Sequence, residues 1–363
     1  MAQILDRNNN SKSLVISQTS EAVNVIRGIM VMTLIFVHWS PGVFERLSID
    51  YLYVTNPFFR IATPGFAIIF GLATGLYTFS KFKTDRQNAL LRVRAGLKMV
   101  LGGVLILATI KFLDVKASGH SMDINWPVNM FFSVLLYYVL ALSTMPIWYY
   151  FIARFKYMEV AAIIGSMLFF ASAALVHKLL PSSEGLIGFV RLGGLMLEAK
   201  YNYFSMSGSV FMGIAFGLYI KRLIEKEQKA DHLVIHGIFV ILMGILASFA
   251  LGESEMWFTT DMTTVWMNMT YFGVIILLFC FALRYGSLSV KSPLNGFLFR
   301  MMSVFGSISL RMFVGHGLVI PFKNLMVSVG IPYGLALSIA MALFVVAIAI
   351  PVKNNYKKYY GVN

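Results

Sequence analysis

The stretch Glu21–Phe44, EAVNVIRGIMVMTLIFVHWSPGVF, is almost wholly apolar, yet it contains Arg27 and His38. Its length and apolarity are those of a membrane-spanning helix. The two ionisable residues are eleven positions apart, which at about 100° per residue returns to within about 20° of the starting direction. Both side chains are therefore predicted on one helix face, roughly 16 Å apart along the axis. Because ionisable residues within a span are costly, the pair predicts a functional path lined across the membrane.

The composition of the whole chain is that of a membrane protein. It has 363 residues, 58% hydrophobic and 13% charged, with a mean hydropathy of +0.75. Apolar runs of about twenty residues recur throughout, so we predict an all-α polytopic membrane protein without a soluble domain. The polar first twenty residues do not resemble a cleavable signal peptide. The single cysteine, Cys280, excludes an intrachain disulfide.

We predict ten transmembrane helices within residues 22–350, between cytoplasmic tails at 1–21 and 351–363. The predicted spans are 22–44, 59–80, 94–113, 127–151, 157–177, 201–221, 233–251, 263–283, 297–319 and 331–350. The connection 178–200 contains several glycines among apolar residues, so it is expected to be re-entrant or interfacial. The pairs Gly71 and Gly75, and Gly213 and Gly217, have the GxxxG spacing of close helix packing.

Lysine and arginine cluster in alternate loops, which sets the predicted orientation. These residues are Lys81, Lys83, Arg86, Arg92, Arg94, Lys98, Arg154, Lys156, Lys221, Arg222, Lys226, Lys229, Arg284, Lys291, Arg300, Lys353, Lys357 and Lys358. The positive-inside rule then places both termini in the cytoplasm, which requires an even number of spans in a cytoplasmic (inner) membrane. The same distribution explains the net charge of +14, so nucleic acid is not an expected partner and the lipid bilayer is.

None of the sixteen acidic residues is predicted deep in a span. The deep ionisable residues are Arg27 and His38 in the first span and Arg311 and His316 in the ninth. A buried arginine needs an anionic or carbonyl partner, so a bound anionic ligand is one interpretation. The alternatives are that Arg27 extends to cytoplasmic headgroups and that Arg311 bonds to backbone carbonyls.

The two histidines are candidates for proton transfer. His38 has an unperturbed pKa near neutrality, which suits a general base for a hydroxyl acceptor. His316 is predicted at a similar depth, as a second acid–base group or an orienting partner. The alternative for each is a neutral core histidine. No cysteine or histidine cluster has metal-ligand spacing, so no metal is expected.

Three segments resemble the acyltransferase 3 family of membrane-bound acyltransferases, related to glucan succinyltransferases and heparan glucosaminide acetyltransferases. Arg27, ten residues and His38 match the family's R-X10-H first helix. The segment GFAIIFGLATGLYTF at 65–79 is similar to its FFxxSG second helix, with Gly71 directly after Phe70 and no serine. The segment FGSISLRMFVGHGLVI at 305–320 resembles the superfamily's G-x-x-S-L-x-x-Y-x-x-H helix, with Phe313 at the tyrosine position.

This resemblance implies transfer of an acyl group, acetyl by preference, from cytoplasmic acyl-CoA to a hydroxyl of a cell-surface or periplasmic glycan or of a glycolipid. By analogy His38 activates the acceptor and Arg27 supports the donor, with His316 and Arg311 as further catalytic candidates. Acetyl-CoA or another acyl-CoA is the expected co-substrate. Arg92, Arg94 and Lys98 could bind its phosphates at a basic mouth, although positive-inside bias alone also explains them.

Two other functions remain open. One is N-acetylation of an amino sugar, which the sequence does not separate from O-acylation. The other is a transporter or flippase whose arginines and histidines line the path of an anionic substrate. Transporters often have repeated halves or interrupted helices, and no convincing half-repeat is seen in the sequence. The possibility of a homodimer is also left open.

The loop charges make the orientation testable. In a Cys280→Ser background, we expect a cysteine replacing Lys83 to resist a membrane-impermeant thiol reagent in intact cells, because its loop is predicted cytoplasmic. A cysteine replacing Ser254 should react. Labelling of the Lys83→Cys protein from outside intact cells would show that the predicted orientation is wrong.

Overall fold

The computed structural model describes residues 2–39, 60–117, 122–179, 185–198, 201–228, 231–253, 264–288 and 293–360. For residues 2–14, 39, 80, 83, 117, 286–288, 293–295 and 358–360 it describes the backbone alone. Residues 40–44, the predicted end of the first span, and Ser254 and Lys291 lie outside these ranges.

The described chain is helical. Its helices are α1 (Ala2–Trp39), α2 (Ala62–Ala73), a π-helical turn (Thr74–Thr78), α3 (Phe79–Thr84), α4 (Arg86–Ala117), α5 (Trp126–Phe131), α6 (Val134–Ala153), α7 (Met158–Leu179), α8 (Gly188–Glu198), α9 (Tyr203–Glu225), α10 (His232–Ala250), α11 (Val265–Leu288), α12 (Pro293–Ser307), α13 (Ser309–Ser328) and α14 (Tyr333–Tyr360). No strand occurs among the described residues.

The all-α polytopic membrane class is confirmed. Within the described ranges, eight helices are long and apolar enough to cross a membrane, and a bent pair, Gly296–Ser307 with Ser309–Ser328, makes up to nine. The second predicted span is a shorter apolar helix, Ala62–Thr78. The ten predicted segments thus correspond to eight full-length helices, one broken helix and one short helix.

The helix that contains the first predicted span begins before that span. Helix α1 is continuous from Ala2 to Trp39, and the part of it whose side chains are described, Val15–His38, is long and apolar enough to cross a membrane. The polar residues before Glu21 contain neither glycine nor proline, so nothing in them terminates the helix. Arg27 and His38 both lie within this continuous helix, and the division between a tail at 1–21 and a span at 22–44 stays a prediction.

Two predicted spans are interrupted. The ninth, 297–319, bends by 79° between Ser307 and Ser309, where Ile308 has φ −110° and ψ 16°. The fourth, 127–151, breaks at Ser133, whose extended backbone (φ −163°, ψ 163°) separates α5 from α6. The apolar pattern of the sequence did not predict either break, because apolarity carries no information on backbone conformation. Helix α14 continues through Pro351 to Tyr360, and the cytoplasmic tail at 351–363 stays a prediction.

Helix α9 is the centre of the bundle, and α2 packs directly against its backbone. A Cβ on Gly71 or Gly75 would collide with the backbone of Val210 or Ile214 of α9. A Cβ on Gly213 or Gly217 would collide in turn with the backbone of α2 at Ile68 and Leu72. The predicted GxxxG packing is therefore confirmed, and it is reciprocal. Small residues are what allow membrane helices to approach this closely.

A second glycine contact joins α1 to α12. A Cβ on Gly28 would meet the backbone of Met302, and one on Gly306 would meet the backbone of Asn24. Beyond the bend, α13 packs with α1 and α14 around Val31, Ile35 and Met312. The two contacts fix α13 beside the second half of α1, where His38 lies.

The glycine contacts predict a large difference between two Gly→Ala substitutions. Gly213→Ala should destabilise the protein by at least about 1–3 kcal/mol, because the added methyl group overpacks a backbone contact. Gly102→Ala, in α4, should be neutral or stabilise by up to about 1 kcal/mol, because no atom lies within 4 Å of its added Cβ and alanine favours a helix. Thermal unfolding in one detergent compares them. Equal melting temperatures would contradict the packing.

Candidate functional site

His38 and His316 are in direct contact. Nδ1 of His38 lies 2.8 Å from Nε2 of His316, and the rings stack with centroids 4.9 Å apart at 29°. The two residues are on α1 and α13, 278 positions apart in sequence. His316 is buried, with 3% of its surface exposed, whereas His38 is exposed. The structure thus brings together two predicted catalytic residues, one buried and one exposed.

The hydrogen bonds assign the tautomers when both rings are neutral. Nδ1 of His316 lies 3.3 Å from the carbonyl oxygen of Met312, which can only accept, so this nitrogen carries the proton. The lone pair of His316 is then at Nε2, and Nδ1 of His38 must donate to it. The lone pair of His38 is therefore on Nε2. His316 has the geometry of an orienting partner, and His38 has that of the base.

Aromatic rings surround the buried side of the pair. Phe313 packs edge-on against His316 with centroids 5.3 Å apart, and Phe66 of α2 packs edge-on against Phe313 at 6.4 Å. Neither ring offers a competing hydrogen-bond partner. The apolar packing restricts the rotamer of His316, which in turn restricts His38.

Arg27 lines a cavity of about 180 Å³ between α1, α2, α4, α6 and α13. The other described residues that line it include Thr63, Phe66, Tyr138 and Phe313, and none of them has a carboxylate. No hydrogen bond or ion pair of Arg27 is found in the described part of the chain. Its electrostatic neighbours are Tyr77 and Tyr138.

Tyr138 is a polar residue of this cavity that the sequence did not single out. Its hydroxyl oxygen is buried and has no hydrogen-bond partner among the described residues. A buried hydroxyl without a partner costs free energy, so its position beside a buried guanidinium indicates room for a polar ligand group. No sequence signal marks Tyr138, because α6 also contains Tyr137, Tyr149 and Tyr150.

The cavity and the histidine pair adjoin. Phe66 and Phe313 line the cavity, and Phe313 also touches His316. The two sites therefore lie on the same side of α1, as the eleven-residue spacing of Arg27 and His38 predicts. About three helical turns separate them, so one small group cannot contact both residues, whereas an extended molecule can.

Arg311 does not join the pair. It is exposed in the first turn of α13, and the five-residue spacing puts it about 140° around the helix from His316. The predicted bond from Arg311 to backbone carbonyls is absent among the described residues. Its catalytic role thus remains a prediction without a geometric link to the histidines.

The three basic residues predicted to bind the acyl-CoA phosphates lie on two different faces of α4. Arg92, Arg94 and Lys98 are all exposed on α4, but Arg92 points about 160° away from Arg94, whereas Arg94 and Lys98 are within about 40° of each other. Arg92 shares a surface pocket of about 530 Å³ with Lys81 and Asp85. Asn88 donates to Asp85 from its side-chain amide and its backbone N–H, which lowers the pKa of this exposed carboxyl. The sequence analysis did not identify Lys81 as a neighbour of Arg92.

Within the described ranges, no group of three or more His, Cys, Asp or Glu side chains is arranged to hold a metal ion. The arrangement offers instead a base, an orienting imidazole and a buried cation in one helical bundle. The protein is an integral, multi-pass α-helical membrane protein with a buried polar site. Comparison with family models, with curated proteins and with solved structures finds no match.

Cross-linking tests the contact between the histidines. In a Cys280→Ser background, cysteines replacing His38 and His316 should be joined by a short bifunctional thiol reagent, because the two rings are in contact. The matched control replaces His38 and Val327, since Val327 lies on the same helix about 16 Å from His316. Equal cross-linking of the two pairs would refute the contact.

Proposed function

We propose that the protein is an acyltransferase that moves an acyl group, acetyl by preference, from cytoplasmic acyl-CoA to a hydroxyl of a cell-surface glycan or glycolipid. The observation that carries this proposal is the hydrogen-bonded pair of His38 and His316, which leaves the lone pair of His38 on Nε2. The motifs of the first and ninth spans, similar to those of acyltransferase 3, support the same reaction.

The chemistry begins at His38. Its Nε2 takes the proton of the acceptor hydroxyl while the hydroxyl oxygen attacks the thioester carbonyl. The resulting imidazolium keeps its hydrogen bond to Nε2 of His316, a charge-assisted bond that is stronger than the neutral one. When the tetrahedral intermediate collapses, the carbon–sulfur bond breaks and the proton passes from His38 to the departing thiolate. Ester and free thiol are formed, and the histidine pair returns to its initial state.

The position of Arg27 fits the length of the donor. An acyl-CoA combines phosphates with a long, thin pantetheine arm, so its two ends can occupy sites far apart. Arg27 and Tyr138 would donate hydrogen bonds to carbonyl groups of this arm in the cavity, about three turns from His38. Lys81 and Arg92, in the surface pocket, would bind the phosphates at the predicted cytoplasmic side.

A transporter of an anionic substrate is the second candidate. The observation that favours it is the 79° break between α12 and α13, because discontinuous helices commonly form transporter binding sites at mid-membrane depth. Arg27, which has no ion pair among the described residues, would then bind a transported anion. This candidate does not require a base on His38, so substitutions of the histidine pair separate the two functions.

Variants of the pair test the acyltransferase proposal. His38→Gln should lower glycan acylation by about 10²–10⁴-fold, because the amide cannot take a proton. His316→Gln should retain more activity than His316→Leu, since a glutamine oxygen can still accept from Nδ1 of His38. Mass spectrometry of surface glycans measures the transferred group. The matched control is His177→Gln, an exposed histidine on α7.

Binding of the donor provides an independent measurement. Acetyl-CoA should raise the melting temperature of the purified wild-type protein, because it binds the folded state. The shift should persist in His38→Gln and shrink in Arg27→Ala, with exposed Arg154→Ala as the control. Near-normal acylation by His38→Gln, or a flat acetyl-CoA titration, would overturn the proposal. The flat titration together with movement of an anion would favour the transporter.

A further inference from the structure

A cavity larger than the one at Arg27 lies away from the histidine pair. It is a groove of about 760 Å³ between α7, α9, α10 and α11, within the usual size range of small-molecule sites. All four helices are candidate membrane spans. The residues of α7 that line it include Val160, Ile163 and Met167, which are 52%, 45% and 65% exposed. The groove is therefore open towards the hydrocarbon region of the membrane.

One end of the groove is polar and the rest is apolar. From Glu159 to Ala174 the α7 wall extends for about 22 Å, most of the ~30 Å hydrocarbon core. Arg222, His236, Tyr157 and Glu159 gather at one end, whereas residues such as Phe170, Met212 and Phe272 line the remainder. An occupant with a long apolar chain and one polar head matches this distribution.

Arg222 has hydrogen-bonding capacity to spare at the polar end. It makes a single contact with Glu159, from Nη1 to Oε1 at 3.4 Å, and its side chain is 43% exposed. Its guanidinium also lies 5.2 Å from the ring centroid of Tyr219. Since a guanidinium has five N–H donors in a planar fork, several remain available to a phosphate.

The net charge near this end favours an anion. In residues 154–159, 221–228 and 231 the cations Arg154, Lys156, Lys221, Arg222 and Lys226 outnumber the anions Glu159, Glu225, Glu227 and Asp231. The Lys221 ammonium is engaged with Glu225 at 3.4 Å. Nδ1 of His236 lies 2.7 Å from the carbonyl oxygen of His232 and donates to it, which places its Nε2 as the remaining polar atom of that ring.

We propose that this groove binds one membrane phospholipid, with an acyl chain along the apolar walls and the phosphate against Arg222. By the loop charges this end faces the cytoplasmic leaflet, whose anionic lipids favour cationic sites. The site is separate from the histidine pair and does not depend on the proposed acyltransferase activity.

The test counts lipids bound to delipidated full-length protein by native mass spectrometry during titration with dioleoylphosphatidylglycerol. We expect one saturable molecule on the wild type. Dioleoylglycerol, which has the same chains without a phosphate, should bind at least about tenfold more weakly, the factor for loss of one charge-assisted hydrogen bond.

Two pairs of variants separate lipid binding from structural effects. Arg222→Ala should weaken phosphatidylglycerol binding about tenfold, whereas Glu159→Gln breaks the same ion pair, leaves Arg222 in place and should bind at least as tightly as the wild type. Ala174→Phe, inside the groove, should lower occupancy, whereas Leu175→Phe, on the exposed surface beside it, should not. Variants are compared as monodisperse protein.

Three results would overturn the proposal. One is equal weakening of phosphatidylglycerol binding by Arg222→Ala and Glu159→Gln, which would show that Arg222 acts only through its ion pair with Glu159. Another is equal affinity for phosphatidylglycerol and dioleoylglycerol, which would remove the phosphate contact. The third is the absence of a saturable lipid on the wild type, which would leave only the non-specific lipid belt.

Discussion

The close approach of helix backbones at glycine is the contact on which the central bundle depends. Gly71, Gly75, Gly213 and Gly217 bring α2 and α9 together, and Gly28 and Gly306 do the same for α1 and α12. In a bilayer the hydrophobic effect gives little preference for helix over lipid, so packing of this kind supplies much of the attraction between helices. Helix α12, which is in close contact with α1, ends just before the bend at Ile308. Helix α13 begins after the bend and packs beside His38.

The site combines two adjoining environments. The histidine pair is anchored by the backbone of Met312 and by the ring of Phe313, with His316 buried and His38 exposed. The cavity at Arg27 is lined mostly by apolar side chains, and none of the described residues that line it has a carboxylate. An uncompensated cation in an apolar bundle is costly, so the cavity is best explained by a ligand group that completes it.

The groove near Arg222 differs from this site in its exposure and in its partners. Arg222 already has a carboxylate contact and partial access to solvent, so its charge requires no ligand for stability. Arg27 has no carboxylate partner among the described residues. Two arginines in one membrane protein thus call for different explanations, and the surroundings of each side chain distinguish them.

The sequence by itself determined the membrane class, the positions of most helices, the GxxxG contacts and the common face of Arg27 and His38. These properties follow from composition and from the 3.6-residue period, both of which are local. Only the tertiary structure decided that His316 meets His38, that Tyr138 lies beside Arg27 and that Arg92 faces away from Lys98 towards Lys81. The bend at Ile308 and the early start of α1 were likewise not evident from apolarity. Contacts across 278 residues depend on which helices pack together, and side-chain direction at a break depends on backbone angles that apolar residues do not specify.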